Sequence, residues 1–201
     1  MSNSYDVVCI GSGHNGLIAS AYLAKAGLKV LVLERNEYFG GGVATRECVA
    51  PGYRHDLHSA NHIIIQSNPL IRKDELGLIS RHGLKYVYPE AVFSTIFEDQ
   101  SSIVSYTNID RTCASIAHVS PEDAEAYRRF AAESAAVLPI IVQGMFVPPP
   151  PQGPFWALLD QSPQGRELML AMQKSMLDIV NEWFSHDKVK RGRKPPIAPG
   201  S

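Results

Sequence analysis

The alternation of apolar and polar stretches is clearest in the first part of the chain. Residues 5–10 form a short, β-branched-rich apolar run, which is typical of a strand buried on both faces of a parallel sheet. A glycine-containing segment follows, and residues 17–26 are then rich in Ala and Leu up to Gly27, a residue typical of helix C-termini. Residues 29–34 form a second apolar run that ends in an acid. This pattern predicts a strand–helix–strand unit with parallel strands.

Shorter elements are predicted beyond this unit. Residues 44–49 and 53–57 have the pattern of short strands around a turn, and residues 92–97 and 102–106 that of a hairpin. Three helices are predicted from Asn or Ser followed by Pro, because the side-chain oxygen caps the helix and Pro fits its first turn. They cover residues 68–77, 120–143 with a bend at Pro139, and 162–184.

The third of these helices carries apolar residues at helical spacing, which predicts a stripe facing the core. The stripe consists of Met169, Met172, Met176, Ile179, Val180 and Trp183. Residues 148–154 hold five prolines and are predicted to form an extended connector. From residue 188 onward the sequence is basic and proline-rich, and we expect a disordered tail.

Composition and charge exclude some classes of function for this chain. The chain has 201 residues and is 45% hydrophobic, which is enough for a folded core, and its net charge of −1 excludes a generally basic nucleic-acid binder. The three cysteines form no disulfide framework, which favours a reducing compartment. Neither a secretory leader nor a transmembrane segment is apparent. We therefore expect a cytoplasmic protein, with a mitochondrial location and peripheral membrane contact left open.

The glycine motif between the first strand and helix carries the strongest chemical signal. Gly11-x-Gly13-x-x-Gly16 lies between them, and Glu34 stands 23 residues after Gly11 at the end of the second predicted strand. In such a motif the glycines permit a tight turn, close approach to a pyrophosphate and close helix packing. The helix N-terminus favours phosphate, and Glu34 can accept hydrogen bonds from a ribose while repelling a 2′-phosphate. The sequence therefore predicts dinucleotide binding.

A second glycine segment distinguishes between dinucleotides. Gly40, Gly41 and Gly42 follow the acid closely, and Thr45 comes soon after. This segment resembles the second FAD-contacting loop of two-dinucleotide-binding flavoproteins, in which glycines would let a backbone loop pass near the flavin end of the cofactor. A simple NAD-binding dehydrogenase does not need this loop. The alternative, an ordinary flexible loop, stays open.

Together these motifs resemble a known enzyme family. GSGHNGL at residues 11–17, Glu34-Arg35, Gly40-Gly41 and PGYRHD at residues 51–56 resemble the N-terminus of FAD-dependent oxidoreductases of the phytoene desaturase and carotenoid isomerase type. The resemblance is greatest to the non-carotenoid, pyridine nucleotide-disulfide oxidoreductase domain-containing branch. It implies FAD as cofactor and the oxidation, desaturation or isomerisation of a small apolar organic substrate, with the flavin as hydride acceptor. It implies no particular catalytic residue.

Two features depart from this family. Gly42 and Val43 follow the glycine pair where many members have Arg, and members are much longer than this chain. We therefore expect an N-terminal fragment or a truncated product. The predicted fold is α/β: a Rossmann-like FAD-binding βαβ domain over residues 1–68, the start of an α+β substrate domain over 69–187, and the tail over 188–201.

The predicted cofactor site contains twelve residues and no metal. They are Gly11, Ser12, Gly13, His14, Asn15, Gly16, Glu34, Arg35, Gly40, Gly41, Gly42 and Thr45. His55, His58 and His62 lack the Cys or acid partners of a metal site, so solvent-facing or flavin-adjacent roles are favoured. Two alternatives remain: a non-catalytic protein of the GTPase dissociation-inhibitor type, and a simple NAD-binding dehydrogenase. The oligomeric state is left open.

Overall fold

The computed structural model describes residues 4–191. Their architecture combines helices with small sheets and divides into two compact units between Lys85 and Tyr86. The division falls beyond the predicted boundary at residue 68. The extra residues contact the strand–helix–strand unit, because both the Tyr22 hydroxyl and the Lys25 ammonium donate hydrogen bonds to Glu75. The functional assignment of the two units stays a prediction.

The first unit begins with the predicted strand–helix–strand. Strands β1 (Val7–Ile10) and β2 (Val30–Leu33) pair in parallel, and helix α1 (His14–Lys25) connects them. The Cys9 thiol lies 3.8 Å from the Gly16 carbonyl oxygen in α1, so alternate residues of β1 face that helix. Val8 and Ile10 point the other way and are 52% and 88% exposed. The expectation that this strand is buried on both faces is therefore wrong for the described chain.

Short elements complete the first unit. A 3-10 turn (Gly41–Val43) precedes an antiparallel ribbon of β3 (Thr45–Arg46) and β4 (His55–Asp56), as the sequence predicts. A second 3-10 turn (Ile64–Ser67) leads to α2 (Pro69–Arg72). This helix is shorter than predicted. Asp74 adopts a left-handed backbone (φ 49°), and its carboxylate accepts hydrogen bonds from the N–H groups of Ile79 and Ser80, which turns the chain.

The second unit packs helices on a hairpin. The hairpin of β5 (Ala91–Ile96) and β6 (Ser102–Tyr106) is antiparallel, as predicted. The helices are α3 (Ile109–Ala117), α4 (Pro121–Met145), α5 (Gln152–Leu159), α6 (Pro163–Ala171), α7 (Met176–Trp183) and α8 (Asp187–Arg191). The core includes Ile103, Cys113, Ile116, Ala124, Ala126, Val180, Phe184 and Val189. None of the helices in this described part combines the length and apolarity needed to cross a bilayer.

Helices α6 and α7 correct the prediction of one helix over residues 162–184. The helix stops at Ala171, and Ser175 starts a new one through a capping box with Asp178. The predicted apolar stripe is divided accordingly. Val180 is buried in the core, whereas Met172 and Met176 are 52% and 67% exposed.

Two other predicted segments also differ. The proline-rich connector ends earlier than residue 154, because α5 begins at Gln152 and includes Pro154 in its first turn, where no intrahelical N–H bond is needed. Residues 188–191 are not disordered. They belong to α8, where Val189 is buried and the Lys188 ammonium donates to Asp99 and to the Ser101 hydroxyl. The rest of the predicted tail lies outside the described residues.

Candidate dinucleotide-binding site

The site begins at the turn that follows β1. The Gly11 N–H donates to the Leu33 carbonyl oxygen at 2.7 Å, which joins the ends of the two parallel strands. Gly11 has φ +96°, a backbone conformation that side chains disfavour. The turn therefore places the start of α1 at the carboxyl edge of both strands, where α/β proteins bind their ligands.

Gly13 leaves the N-terminus of α1 open. It is the N-cap residue, with extended backbone angles (φ −67°, ψ 167°) and no side-chain cap. A Cβ added to Gly13 would find no atom within 4 Å. His14 and Asn15, in the first turn of α1, are exposed. Because the first N–H groups of a helix lack intrahelical acceptors and carry the positive end of its dipole, this end of α1 suits a phosphate.

Gly16 serves packing and leaves no room for a side chain. A Cβ there would lie 2.6 Å from the Gly11 carbonyl oxygen and 3.3 Å from the Cys9 thiol sulfur. The first turn of α1 thus lies directly against the loop that precedes it. The first and third glycines of the motif shape the backbone, whereas Gly13 borders open space.

The second glycine segment lies against the first. Gly40 forms an isolated parallel bridge with Gly13, and its N–H donates to the Ser12 carbonyl oxygen at 2.8 Å. Gly40 and Gly41 have φ values of +103° and +60°, and a Cβ on Gly41 would lie 2.9 Å from the Gly13 Cα. A Cβ added to Gly42 would meet no atom within 4 Å. The two glycine segments therefore form one continuous backbone surface.

The Glu34 carboxylate is held beside this surface. Its Oε2 accepts hydrogen bonds from the Ser12 N–H at 2.7 Å and the Ser12 hydroxyl at 2.8 Å. Its Oε1 accepts from the Asn36 N–H at 2.9 Å and the Asn36 side-chain amide at 2.8 Å. These donors, first of all the Asn36 N–H and then Ser12, lower the pKa of Glu34 to about 2. The carboxylate is therefore ionised at neutral pH.

The other two predicted residues, Arg35 and Thr45, take no part in the hydrogen bonds that hold Glu34. Arg35 is exposed, and the Thr45 hydroxyl donates to the Asp56 carboxylate within the β3–β4 ribbon. Asn36 was not singled out from the sequence. Its position two residues after the acid, in a turn, is the signal that points to it. Within residues 4–191, no group of three or more His, Cys, Asp or Glu side chains is arranged to hold a metal ion.

Comparison with known proteins places this site in a recognised domain class. Residues 9–73 match the family model described as an NAD(P)-binding Rossmann-like domain. A limonene dehydrogenase subunit of Castellaniella defragrans is 38% identical over 123 residues, which cover 61% of this chain and 22% of that protein. Pyridine nucleotide-disulfide oxidoreductase domain-containing protein 2 of Rattus norvegicus is 34% identical over 133 residues, 63% of this chain and 22% of that protein.

A third relative matches this chain over a shorter segment. Thiamine thiazole synthase of Saccharolobus islandicus is 63% identical over 38 residues, 19% of this chain and 14% of that protein. The chain spans about a fifth of the length of the limonene dehydrogenase protein and of the rat protein. The geometry and the matches agree on the predicted α/β class: residues 9–73 form a Rossmann-like dinucleotide-binding domain, in a chain homologous to dehydrogenase and oxidoreductase-domain proteins.

Proposed function

We propose that this chain forms the dinucleotide-binding part of an FAD-dependent oxidoreductase. The observation that carries the proposal is the contact of two glycine segments around Gly13. The bridge between Gly13 and Gly40 and the close approach of Gly41 extend the backbone surface beyond the end of α1. NAD and FAD both have a pyrophosphate and a second half. The second segment favours FAD because the flavoproteins that the sequence resembles carry such a loop, which a simple NAD-binding dehydrogenase does not need.

The residues present fit FAD. The open space at Gly13 leaves room for a pyrophosphate beside the N-terminus of α1, and Glu34 offers an ionised carboxylate for the adenosine ribose. The same negative charge disfavours a 2′-phosphate, and hence NADP. In this proposal His14 and Asn15 contribute first-turn N–H groups, and Gly40–Gly42 provide backbone without side chains along the cofactor.

FAD, when bound, supplies a hydride acceptor. The part assigned to this chain is to bind and orient the adenosine and pyrophosphate portion. Its N–H groups and the α1 dipole neutralise phosphate charge, and Glu34 fixes the ribose. No proton-transfer residue is assigned within residues 4–191, so we place substrate chemistry on the cofactor.

For the substrate we propose a small, apolar organic molecule. The name of the first relative specifies dehydrogenation of limonene, a hydrocarbon, and the motifs resemble the non-carotenoid branch of phytoene desaturase-type enzymes. That relative is called a subunit, which supports assembly with a second polypeptide. Cys9, Cys48 and Cys113 are all free thiols, which supports a reducing compartment such as the cytoplasm.

Titration of the purified chain with FAD, NAD and NADP tests the cofactor assignment. We expect FAD to bind most tightly, with the heat of binding in a calorimetric titration as the readout for all three nucleotides. Glu34→Ala should weaken FAD binding about tenfold, because hydrogen bonds to a charged group are lost. The matched control is Glu37→Ala, which removes a nearby exposed acid and should leave FAD affinity unchanged. A preference for NAD over FAD, or unchanged FAD affinity in Glu34→Ala, would contradict the proposal.

A further inference from the structure

The Glu34 carboxylate has no vacant acceptor position in this structure. Each of its oxygens accepts one backbone N–H and one side-chain donor: Ser12 provides both for Oε2, and Asn36 provides both for Oε1. A carboxylate offers about four such positions in all. A ribose hydroxyl can therefore bond to Glu34 only if one of these four donors leaves.

The four donors differ in how easily they can leave. The Ser12 backbone is fixed, because its carbonyl oxygen accepts the Gly40 N–H at 2.8 Å, and the Ser12 residue is only 4% exposed. The Asn36 N–H belongs to the turn that follows β2. The Asn36 side chain, in contrast, is exposed and held by rotatable bonds. Its amide can rotate toward the solvent and donate hydrogen bonds to water in place of Glu34, at low free-energy cost.

We propose that the Asn36 side-chain amide is an internal substitute for a ribose hydroxyl. It occupies Oε1 of Glu34 while no nucleotide is bound, and it gives way when a ribose hydroxyl donates to the same oxygen. Ser12 holds the other oxygen throughout. This inference rests on the proposed function, since it takes Glu34 as the ribose acceptor.

The exchange makes Asn36 a residue that sets nucleotide affinity, whereas Glu34 decides which nucleotides can bind. The amide can be replaced only by a group that donates a hydrogen bond, as a free 2′- or 3′-hydroxyl does. A 2′-phosphate is an acceptor and carries negative charge, so it cannot take over this position next to an ionised carboxylate. The site therefore selects nucleotides with a free vicinal diol, and Asn36 sets how tightly they bind by competing with them.

Calorimetric titration with ADP, which has the ribose and a pyrophosphate, tests the inference. Asn36→Ala removes the competing amide but keeps the backbone N–H, so we expect the Kd for ADP to fall about twofold to fivefold. A residue with a merely structural role would weaken binding when removed. The gain should disappear when Glu34→Ala is combined with Asn36→Ala, and Glu37→Ala should show none. It should also shrink for 2′-deoxy-ADP if the 2′-hydroxyl is the one that replaces the amide, and for 3′-deoxy-ADP if the 3′-hydroxyl is.

The outcomes separate this inference from the proposed function. Equal or weaker ADP binding by Asn36→Ala, in a chain whose wild type binds ADP and FAD, overturns the inference alone. The same holds if the gain persists in the Glu34→Ala background, or with 2′,3′-dideoxy-ADP, which has neither hydroxyl. A wild-type chain that binds neither ADP nor FAD overturns the proposed function and this inference with it. Circular dichroism of each variant checks that it is folded.

Discussion

Gly13 and Gly16 belong to one motif, but a methyl group added to each would meet different surroundings. At Gly16 it would lie 2.6 Å from a backbone oxygen, which cannot move without changing the turn. At Gly13 it would meet no atom within 4 Å, and the backbone angles there suit alanine. One glycine is therefore needed for the fold, whereas the other borders the space that we assign to the cofactor.

We predict that Gly13→Ala and Gly16→Ala separate binding from folding. Gly13→Ala should keep its helix content and lose at most about 1 kcal/mol of stability, because alanine is a poorer N-cap than glycine. It should bind ADP at least about tenfold more weakly, because the methyl group occupies the place of a phosphate. Gly16→Ala should lower the free energy of unfolding by about 1–3 kcal/mol through overpacking.

Calorimetric titration and thermal unfolding by circular dichroism measure the two effects. Gly144→Ala in α4, where the added Cβ also meets open space, is the control: it should leave ADP affinity unchanged and should not lower the stability, because alanine favours a helix more than glycine does. Wild-type ADP affinity in Gly13→Ala would show that this space is not the phosphate site.

At the residue scale, the sequence singles out the glycines and Glu34 as candidate site residues. It does not reveal the hydrogen bonds that hold the Glu34 carboxylate in place. The spacing of the motif follows from backbone turns, and glycines near the end of a strand specify such turns through the local sequence alone. The bonds of Ser12 and Asn36 to Glu34 depend on how the turn after β2 folds back onto the end of β1. That arrangement involves two strands distant in sequence, so spacing alone does not reveal it.

Among the helices, α4 is joined to the segment before α8 by one buried acid. Asp123, in the first turn of α4, is 1% exposed. Its carboxylate accepts hydrogen bonds from the Ser185 N–H at 2.9 Å, the Ser185 hydroxyl at 2.8 Å and the His186 N–H at 2.8 Å. Burial raises the pKa of Asp123, but these hydrogen bonds outweigh it, so the pKa is lowered overall.

We predict that Asp123→Asn destabilises the chain in a pH-dependent way. At pH 7 it should lower the free energy of unfolding by about 2–3 kcal/mol, because an amide N–H₂ would face backbone donors. Since the folded-state pKa lies below that of the unfolded chain, the carboxylate stabilises the fold above about pH 4. This stabilisation is lost as the pH falls through the folded-state pKa.

Urea denaturation from acidic to neutral pH measures this dependence. The stability difference between the wild type and Asp123→Asn should shrink toward the acidic end. Asp178→Asn, which changes an exposed capping acid in α7, should cost less at neutral pH. A constant difference across this range would mean that the Asp123 charge does not stabilise the fold.

Elements with strong local signals were predicted, and those that depend on tertiary packing were missed. Ser120 and Ser162 cap their helices as expected, with side-chain oxygens that accept the N–H groups of Asp123 and Gly165. Helix α3 was missed because it is short and its few large apolar residues give a weak local pattern, and it is stabilised by burial of Cys113 and Ile116. The break between α6 and α7 was missed because the apolar spacing continues across it.

At the scale of the whole molecule, the parallel β1–β2 pair leaves one apolar side exposed. Val8 and Ile10 alternate with the residues that face α1, and Leu33, which pairs with Ile10, is 48% exposed. Parallel strands are normally covered on both faces, because both faces are apolar. Two strands and one helix cover only one face, which explains why the expected burial is not reached in the described chain.

We predict that this apolar side makes the 201-residue chain self-associate. Replacing Val8 and Ile10 together by Thr, which keeps the β-branched shape, should lower the average mass in solution and raise the solubility. Size-exclusion chromatography with light scattering measures both. Val87→Thr changes an 87% exposed residue in the second unit and should have little effect. A wild-type chain that stays monomeric at high concentration would contradict this prediction.

The bridge between Gly13 and Gly40 also bears on how fast a nucleotide could associate. It closes the chain between the two glycine segments into a loop, and the entropy cost of that closure is met when the domain folds. An incoming nucleotide then meets two backbone segments already side by side and needs no slow rearrangement of either. Its association rate should be limited by diffusion and orientation, so that differences in affinity among nucleotides arise mainly from how long each one stays bound.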